Sequence, residues 1–206
     1  MWLGPFTSVT LWIIALVVAV SLWAFQRPSV LQSWALRPWA LQRSGKYYTL
    51  LTSGLIHADW GHLAFNMLTL YFFGAALENY YELQLDSPGL YMALLFFSGI
   101  VVANLPSYIR QRNDPNYATL GASGGVEAVV FATILLNPMA EICLYFAICL
   151  PGVWVGIGYL AYSYFLGRQM QGNVNHEAHI AGALYGLLWQ TVLTPSAWQA
   201  LIDALL

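Results

Sequence analysis

The sequence predicts an all-α polytopic membrane protein with six transmembrane helices. Of the 206 residues, 59% are hydrophobic and only 8% are charged, whereas about a quarter of the residues in a typical soluble domain are charged. The mean hydropathy is +0.61. A spanning helix needs about 20 mostly apolar residues. Six stretches come close to that length: 7–25, 61–80, 89–105, 121–136, 150–167 and 177–194. We therefore expect a single membrane domain over residues 1–206.

The first stretch, 7–25, is expected to be a span and not a signal peptide. Residues 1–6 contain no Lys or Arg, and the apolar run is longer than the core of a signal peptide. The first connection, 26–60, is the longest and contains the near repeat WALRPWALQ. Its Trp34 and Trp39 are typical of a segment that lies in the plane of the membrane interface.

The connection after the fourth span, 137–151, contains an apolar run that is bounded by prolines and too short to cross a bilayer. We expect an interfacial or re-entrant piece. Its two cysteines, Cys143 and Cys149, predict neither a disulfide framework nor a metal site from their spacing. The net charge of −2 and the lack of charge runs indicate no nucleic-acid partner. No cofactor is expected.

Polar residues inside apolar spans are costly and are therefore candidates for function. His62 and Asn66 begin the second span four residues apart, so they share one helical face. Ser123 begins the fourth span and His179 the sixth. Six helices threaded in succession direct the second, fourth and sixth the same way, so these four groups are expected near one membrane face. One such residue usually makes a structural hydrogen bond between helices, but four at one depth indicate a site.

Small residues predict close contact between the fourth and sixth spans. Both carry them at four-residue spacing: Gly121 and Gly125 in the fourth, and Ala178, Gly182 and Gly186 in the sixth. Such spacing lets helix backbones approach closely. Contact would bring Ser123 within hydrogen-bonding range of His179, and a serine beside a histidine is an activated nucleophile. His62 and Asn66 could donate N–H groups to a developing oxyanion.

Three segments together resemble the rhomboid family of intramembrane serine proteases. GASG (121–124) resembles the nucleophile motif, HADWGHLAFN (57–66) the segment with the His and Asn, and AHIAGALYG (178–186) the histidine helix. The resemblance covers about 45–190, in the same order. It implies a six-transmembrane-helix, rhomboid-like bundle.

The resemblance also implies roles for the candidate residues. Ser123 would be the nucleophile and His179 its general base, while His62, Asn66 and the Ser123 backbone N–H would form the oxyanion hole, with Gly121 as an auxiliary residue. The implied reaction is cleavage of a peptide bond in or beside a substrate's transmembrane helix through an acyl-enzyme. The implied partners are transmembrane protein substrates and membrane lipids, and the implied location is a multi-pass position in a bacterial cell (inner) membrane. The oligomeric state is not predicted.

Glu127 departs from the pattern of many bacterial members of the family, which place an aromatic residue four positions after the serine, stacked on the histidine. Four residues correspond to one helical turn, so the carboxylate could orient His179 or raise its basicity, as the third member of a triad does. The interpretation we favour is a buried, protonated or hydrogen-bonded acid that fills the place of the aromatic ring.

The basic residues raise a question of orientation. All seven lie in the first, third and fifth connections: Arg27, Arg37, Arg43, Lys46, Arg110, Arg112 and Arg168. The positive-inside rule alone would make that face, which also carries the candidate site, cytoplasmic. The resemblance implies the reverse, with the N-terminus inside and the site opening outward. We follow the resemblance, because four of the seven charges lie in one long connection.

Three other classes of function remain open. HEAH (176–179) invites comparison with the zinc-protease motif, but its histidines are three residues apart instead of four. An inactive rhomboid-like protein could bind transmembrane helices, although such relatives typically lack the Ser and His present in this chain. A transporter would usually show an internal repeat, and none is evident.

Overall fold

A computed structural model describes residues 8–144, 148–169 and 175–205. In chain order the elements are α1 (Val9–Phe25), α2 (Pro28–Trp34), α3 (Pro38–Ser44), α4 (Thr49–Thr52), a 3₁₀ turn (Ser53–Leu55), α5 (Trp60–Gln84), α6 (Pro88–Gln111), α7 (Ser123–Leu136), β1 (Glu141–Leu144), β2 (Ile148–Pro151), α8 (Gly152–Gln169), α9 (His176–Leu193) and α10 (Ala197–Leu205). Helices occupy all six stretches interpreted as spans, with ends shifted by a few residues. Residue 7 of the first stretch lies outside the described part, and α10 was not anticipated.

Length and composition single out one helix in the described part of the chain as able to cross a membrane. This helix is α6, with a mean hydropathy of 1.8 over its most apolar window. Helices α1 and α7 are apolar but shorter. Helices α5 and α9 contain polar residues, among them His62, Asn66, Glu78 and Gln190, which lower their hydropathy. By this measure the expectation of six spans is met by α6 alone.

The near repeat in the first connection forms two short helices, α2 and α3. Each begins with a proline, which suits the first helical turn because that amide has no helical acceptor. Between them, Leu36 is fully buried and forms an antiparallel bridge with Thr119, with N–O distances of 2.9 and 3.0 Å. The first connection is thus fastened to the segment that leads into α7.

The connection after α7 corrects two expectations. Strands β1 and β2 pair antiparallel, so the chain is not all-α at this point. Cys143 lies directly opposite Cys149 in that pairing, and the two form a disulfide bond. The spacing rule for disulfide frameworks missed this bond because a single bridge across a hairpin depends on strand register, which was not predicted.

Helix α7 lies at the centre of the bundle and packs against α5, α6 and α9. Its contact with α6 is made by small residues. A Cβ added to Gly99 would lie 2.9 Å from the Ala128 Cβ, and one added to Gly124 would lie 2.3 Å from the Ala103 Cβ. Such small side chains allow close approach of two helix backbones. The helix that begins with Ser123 is therefore held on several sides.

Helix α1 is fastened to α5 by a buried carboxylate. Glu78 is 3% exposed and accepts hydrogen bonds from the Ser8 hydroxyl at 2.8 Å and from the Thr10 N–H at 3.0 Å. The Val9 N–H donates to its other oxygen. A carboxylate at a helix N-terminus satisfies amides that have no helical acceptor and complements the helix dipole.

Candidate active site

The segment that precedes α7 is extended and is held by the first connection. The Gly121 N–H donates to the Ser53 carbonyl at 2.8 Å. Gly121 has a φ of 122°, a left-handed value that favours glycine. A Cβ at this position would lie 2.5 Å from Cε1 of His62. Backbone conformation and space therefore both require glycine here, and the His62 ring lies directly against the approach to Ser123.

His57 fixes the residue before Ser123. The Ala122 N–H donates to Nε2 of His57 at 3.3 Å. Because Nε2 accepts, the neutral ring carries its proton on Nδ1, which donates to Ser21 Oγ at 2.9 Å. The Ser21 hydroxyl donates in turn to the Leu55 carbonyl at 3.1 Å. One buried imidazole thus connects α1 to the start of α7.

Ser123 is the first residue of α7 and is partly exposed. The amides of a first helical turn have no acceptor within the helix, and they lie at its positive end. Among the described residues, the Ser123 hydroxyl makes no hydrogen bond. Within the described ranges, the hydroxyl and these amides could therefore hydrogen-bond to a bound group.

The predicted contact between α7 and α9 is present, although different residues of α7 make it. A Cβ on Gly182 would lie 2.3 Å from the Gly124 carbonyl oxygen, and one on Gly186 would lie 2.1 Å from that of Ala128. Gly125, expected on this contact, instead faces α6 at the Phe96 carbonyl. The expectation that Gly125 faces α9 is therefore wrong, because Gly124 occupies that face of α7.

His179 lies on the first turn of α9, one turn before the contact between Gly182 and α7, and its side chain is 18% exposed. It therefore shares an end of the helix pair with Ser123. Within the described part of the chain, no hydrogen bond joins the two side chains. The expected proximity of the helices is present, whereas the direct bond between serine and histidine is not formed.

The Nδ1 nitrogen of His179 has a hydrogen-bond partner. Nδ1 lies 2.5 Å from the hydroxyl oxygen of Tyr159 on α8, and this hydroxyl also lies 2.6 Å from Oε1 of Glu127. The Tyr159 and His179 rings are stacked, with an interplanar angle of 20°. Glu127 itself is 3.9 Å from Nδ1, beyond hydrogen-bonding distance. The aromatic ring on His179 therefore comes from α8, and Glu127 reaches the imidazole through that ring's hydroxyl.

His62 and Asn66 lie on the first two turns of α5, and the His62 ring lies against Gly121. The His62 backbone N–H donates a hydrogen bond of 2.8 Å to the carboxylate of Asp59, which caps the N-terminus of α5. Asn66 is 4% exposed, and one of its Nδ2 hydrogens goes to the His62 carbonyl at 2.9 Å. The second Nδ2 hydrogen and the His62 ring nitrogens have no hydrogen bond in the described structure, so these groups could donate to a bound anion.

Asn175 is a further residue that the sequence reasoning missed. Its Oδ1 caps α9 by accepting from the Ala178 N–H at 3.2 Å, and its Nδ2 donates to Ser107 at 2.8 Å and Thr119 at 3.2 Å. It thereby connects the start of α9 to α6 and to the segment before α7. An Asn before a helical pattern is a capping signal, but its long-range contacts leave no mark in a local pattern.

The site residues contain no arrangement suited to a metal. Over the described ranges, no three His, Cys, Asp or Glu side chains are grouped so that they could hold an ion. His176 is buried, and its ring packs against those of Tyr162 and His179. The neighbouring Glu177 forms an ion pair with Arg110.

Comparisons with known proteins identify the family of the chain. A family model described as the Rhomboid domain matches residues 44–196. The chain is 31% identical over 153 residues to "RHOMBOID-like protein 12, mitochondrial" of Arabidopsis thaliana. The aligned region covers 68% of this chain and 45% of that protein. It is 30% identical over 162 residues to "Rhomboid-like protein 11, chloroplastic" of the same plant, and this aligned region covers 73% of this chain and 55% of that protein.

A bacterial protein is also similar over a shorter range. "Putative rhomboid protease YdcA" of Bacillus subtilis (strain 168) is 31% identical over 84 residues, which cover 40% of this chain and 38% of that protein. The chain spans about half the length of the mitochondrial and chloroplastic relatives just described. The matched region, 44–196, contains the start of α7, the start of α9 and the first turns of α5. The chain belongs to the rhomboid family, whose members are integral membrane proteins.

Proposed function

We propose that this chain is an intramembrane serine endopeptidase that cleaves peptide bonds in or near transmembrane helices of other membrane proteins. The observation that carries the proposal is the juxtaposition of two helix starts. Ser123 begins α7 and His179 lies on the first turn of α9, and these helices touch at Gly182. At this contact the Gly182 backbone lies directly against the Gly124 backbone, with no side chain between them. Ser123 and His179 therefore share one end of the bundle.

In the proposed reaction, the Oγ of Ser123 attacks the scissile carbonyl carbon while its proton passes to Nε2 of His179. The oxyanion is stabilised by the Ser123 backbone N–H and by donors from His62 and Asn66. When the carbon–nitrogen bond breaks, the leaving amine takes the proton from His179 and an acyl ester remains on Ser123. Water then gives a proton to His179 as its oxygen attacks the ester carbon. When the ester bond breaks, His179 returns this proton to the Ser123 Oγ and the carboxylic acid product is released.

The absence of a bond between Ser123 and His179 in the free protein is compatible with this chemistry. Catalytic hydrogen bonds in unliganded enzymes are often long or unformed and shorten when substrate binds. In the described part of the chain the Ser123 hydroxyl has no hydrogen-bond partner, which supports a site that a substrate segment completes.

The proposed partners are transmembrane protein substrates and the surrounding lipids. Large apolar side chains remain exposed along the outer faces of α1, α5, α8 and α9, including Trp12, Phe72, Phe165 and Leu188, and a lipid environment would cover them. We propose that the site opens outward. The two plant relatives are named as mitochondrial and chloroplastic proteins and a third relative is bacterial, so the expected bacterial cell membrane receives no particular support.

The test is cleavage of a panel of single-span substrates by the purified protein in liposomes. We expect Ser123→Ala to abolish cleavage and labelling by a serine-directed phosphonate, because the nucleophile is gone. Ser33→Ala, which removes an exposed hydroxyl on α2, should cleave like the unmodified chain. Cleavage that persists in Ser123→Ala would overturn the proposal, and retained substrate binding without cleavage by the unmodified chain would favour an inactive helix-binding protein.

A further inference from the structure

Side chains from three helices meet at the Nδ1 edge of the His179 ring. Tyr159 comes from α8, Glu127 from α7 and His179 from α9. The tyrosine oxygen lies 2.6 Å from Oε1 of Glu127 and 2.5 Å from Nδ1 of His179. It is the only one of the three that touches both others, because Glu127 and His179 are 3.9 Å apart.

The number of protons limits how this trio can bond. A tyrosine hydroxyl has one proton to donate and oxygen lone pairs to accept with. An ionised Glu127 only accepts, so Tyr159 donates to it and must accept from His179. The histidine proton is then on Nδ1, and Nε2 keeps a free electron pair. If Glu127 were protonated and donated to Tyr159, the order would reverse, Nε2 would carry the proton, and His179 could not act as a base toward Ser123.

Packing holds the tyrosine in place. Its ring stacks on His179 with centroids 6.2 Å apart, and the Phe131 ring, one turn beyond Glu127, lies 6.2 Å away on α7. A Cβ on Gly156 would lie 3.3 Å from Phe131, so α8 approaches α7 closely one turn before Tyr159. A hydroxyl on a ring with few rotamers, held in this way, keeps its direction.

We infer that Tyr159 is a positioning residue that transmits the negative charge of Glu127 to His179. Its hydroxyl donates to the Glu127 carboxylate and accepts from the His179 Nδ1–H. The arrangement fixes the imidazole tautomer with Nε2 free and stabilises the imidazolium that forms when Ser123 gives up its proton. No proton leaves Nδ1 during the reaction, as for the carboxylate of a Ser-His-Asp triad. The inference rests on the proposed proteolysis and adds two residues, Tyr159 and Glu127, to its machinery.

Two side chains of the site, Glu127 and His179, are only 14% and 18% exposed. A charge that is poorly screened by water acts more strongly on its neighbours. Loss of the hydroxyl or of the charge should therefore affect formation of the imidazolium, not substrate binding.

The test compares Tyr159→Phe and Glu127→Gln with Tyr162→Phe, a matched loss of hydroxyl from the exposed face of the same helix. Tyr159→Phe keeps the stacked ring. We expect each site variant to lower kcat about 10- to 100-fold with little change in KM, and Tyr162→Phe to match the unmodified chain. The double variant should be no slower than the slower single one, because the two residues act as one unit. Unchanged kcat in Tyr159→Phe would overturn the inference while cleavage dependent on Ser123 still upheld the proposed function.

A second measurement does not depend on activity. In protein with ¹⁵N-labelled histidine, carrying Ser123→Ala, NMR should detect the His179 proton on Nδ1, identified by its absence in His179→Gln. In Tyr159→Phe the Nδ1 proton signal should shift or be lost to exchange, and Tyr162→Phe should leave it in place. A neutral His179 with its proton on Nε2 would overturn the inference whether or not a substrate had been found.

Discussion

His57 holds the residue before Ser123 through two hydrogen bonds of its ring. It accepts from the Ala122 amide and donates to Ser21, and its side chain is fully buried. Burial, with a smaller contribution from the neighbouring His62, lowers the pKa of His57 from 6.5 to about 3. Only the neutral ring can accept from Ala122, so the fold requires an uncharged His57.

This requirement predicts a pH dependence of stability. The unfolded chain protonates His57 below about pH 6.5, whereas the folded chain resists protonation down to about pH 3. The unfolded state therefore binds more protons in that window. The contribution of His57 to the free energy of unfolding is fully present above pH 6.5, and it falls on acidification by up to about 1.4 kcal/mol per pH unit. His57→Gln should be less stable at pH 7 but should lose less stability between pH 7 and 5. Thermal unfolding in detergent at both pH values measures this, and equal losses in the two proteins would contradict it.

Residue types at the ends of apolar spans identified Ser123, His179, His62 and Asn66 as candidates. Tyr159 could not be identified in this way, because a tyrosine in an apolar helix is usually an interfacial or lipid-facing residue. Its role depends on how α8 is rotated against α7 and α9. The favoured interpretation of Glu127 is a buried, protonated or hydrogen-bonded acid that fills the place of the aromatic ring. Glu127 is hydrogen-bonded to Tyr159, but the ring stacked on His179 is that of Tyr159 itself, and the influence of Glu127 on His179 is a proposal.

At the scale of elements, the contact between α7 and α9 determines whether serine and histidine can meet. Gly182 and Gly186 lie against carbonyl oxygens of α7, which are backbone atoms and cannot move aside without shifting the helix. Ridges formed by larger side chains would hold the axes farther apart. The close approach also places Ser123 and His179, on separate helices, at the same end of the helix pair.

Gly182→Ala should therefore lower both stability and cleavage. The added Cβ would lie 2.3 Å from the Gly124 carbonyl oxygen, and overpacking of this kind typically costs about 1–3 kcal/mol. The matched control is Gly158→Ala in α8, where nothing lies within 4 Å, and it should be neutral or slightly stabilising because alanine favours helix. Thermal unfolding and cleavage rates measure both. A Gly182→Ala protein as stable and active as the control would show that the contact does not set the geometry.

The long helices were predictable because their apolar runs are continuous and bounded by polar or proline residues. The hairpin was not, because EICL and ICLP are as apolar as a short helical segment, and periodicity alone cannot distinguish the two. The extended segment before Ser123 is hydrogen-bonded to the first connection. Its attachment to Leu36 and Ser53 joins parts of the chain far apart in sequence, and no local pattern contains that information.

The whole molecule has two unlike ends. One carries the site and the basic connections, and the other carries the hairpin with its disulfide, together with Glu82 and Asp86. Cys143 and Cys149 are the two cysteines of the chain, and both are exposed. They therefore mark the end opposite the site.

This pair tests the proposed orientation in intact bacterial cells that express the chain. If the site opens outward, a membrane-impermeant maleimide should not label Cys143 or Cys149 after permeant reduction until the membrane is opened. Ser44→Cys, an exposed position on α3, should be labelled in intact cells when both native cysteines are replaced by alanine. The reverse pattern would mean that the basic residues, and not the family, predict the orientation.

The anchoring of α1 has a consequence for anyone who trims the chain. The matched family region begins at residue 44. Two contacts of α1 lie outside it: Ser21 is hydrogen-bonded to His57, and Ser8 donates a hydrogen bond to the buried carboxylate of Glu78. A fragment cut at the boundary of the alignment would retain every residue proposed to touch substrate. It would nevertheless leave the His57 imidazole without Ser21 and the Glu78 carboxylate without its donors, so we expect it to be less stable than the longer chain.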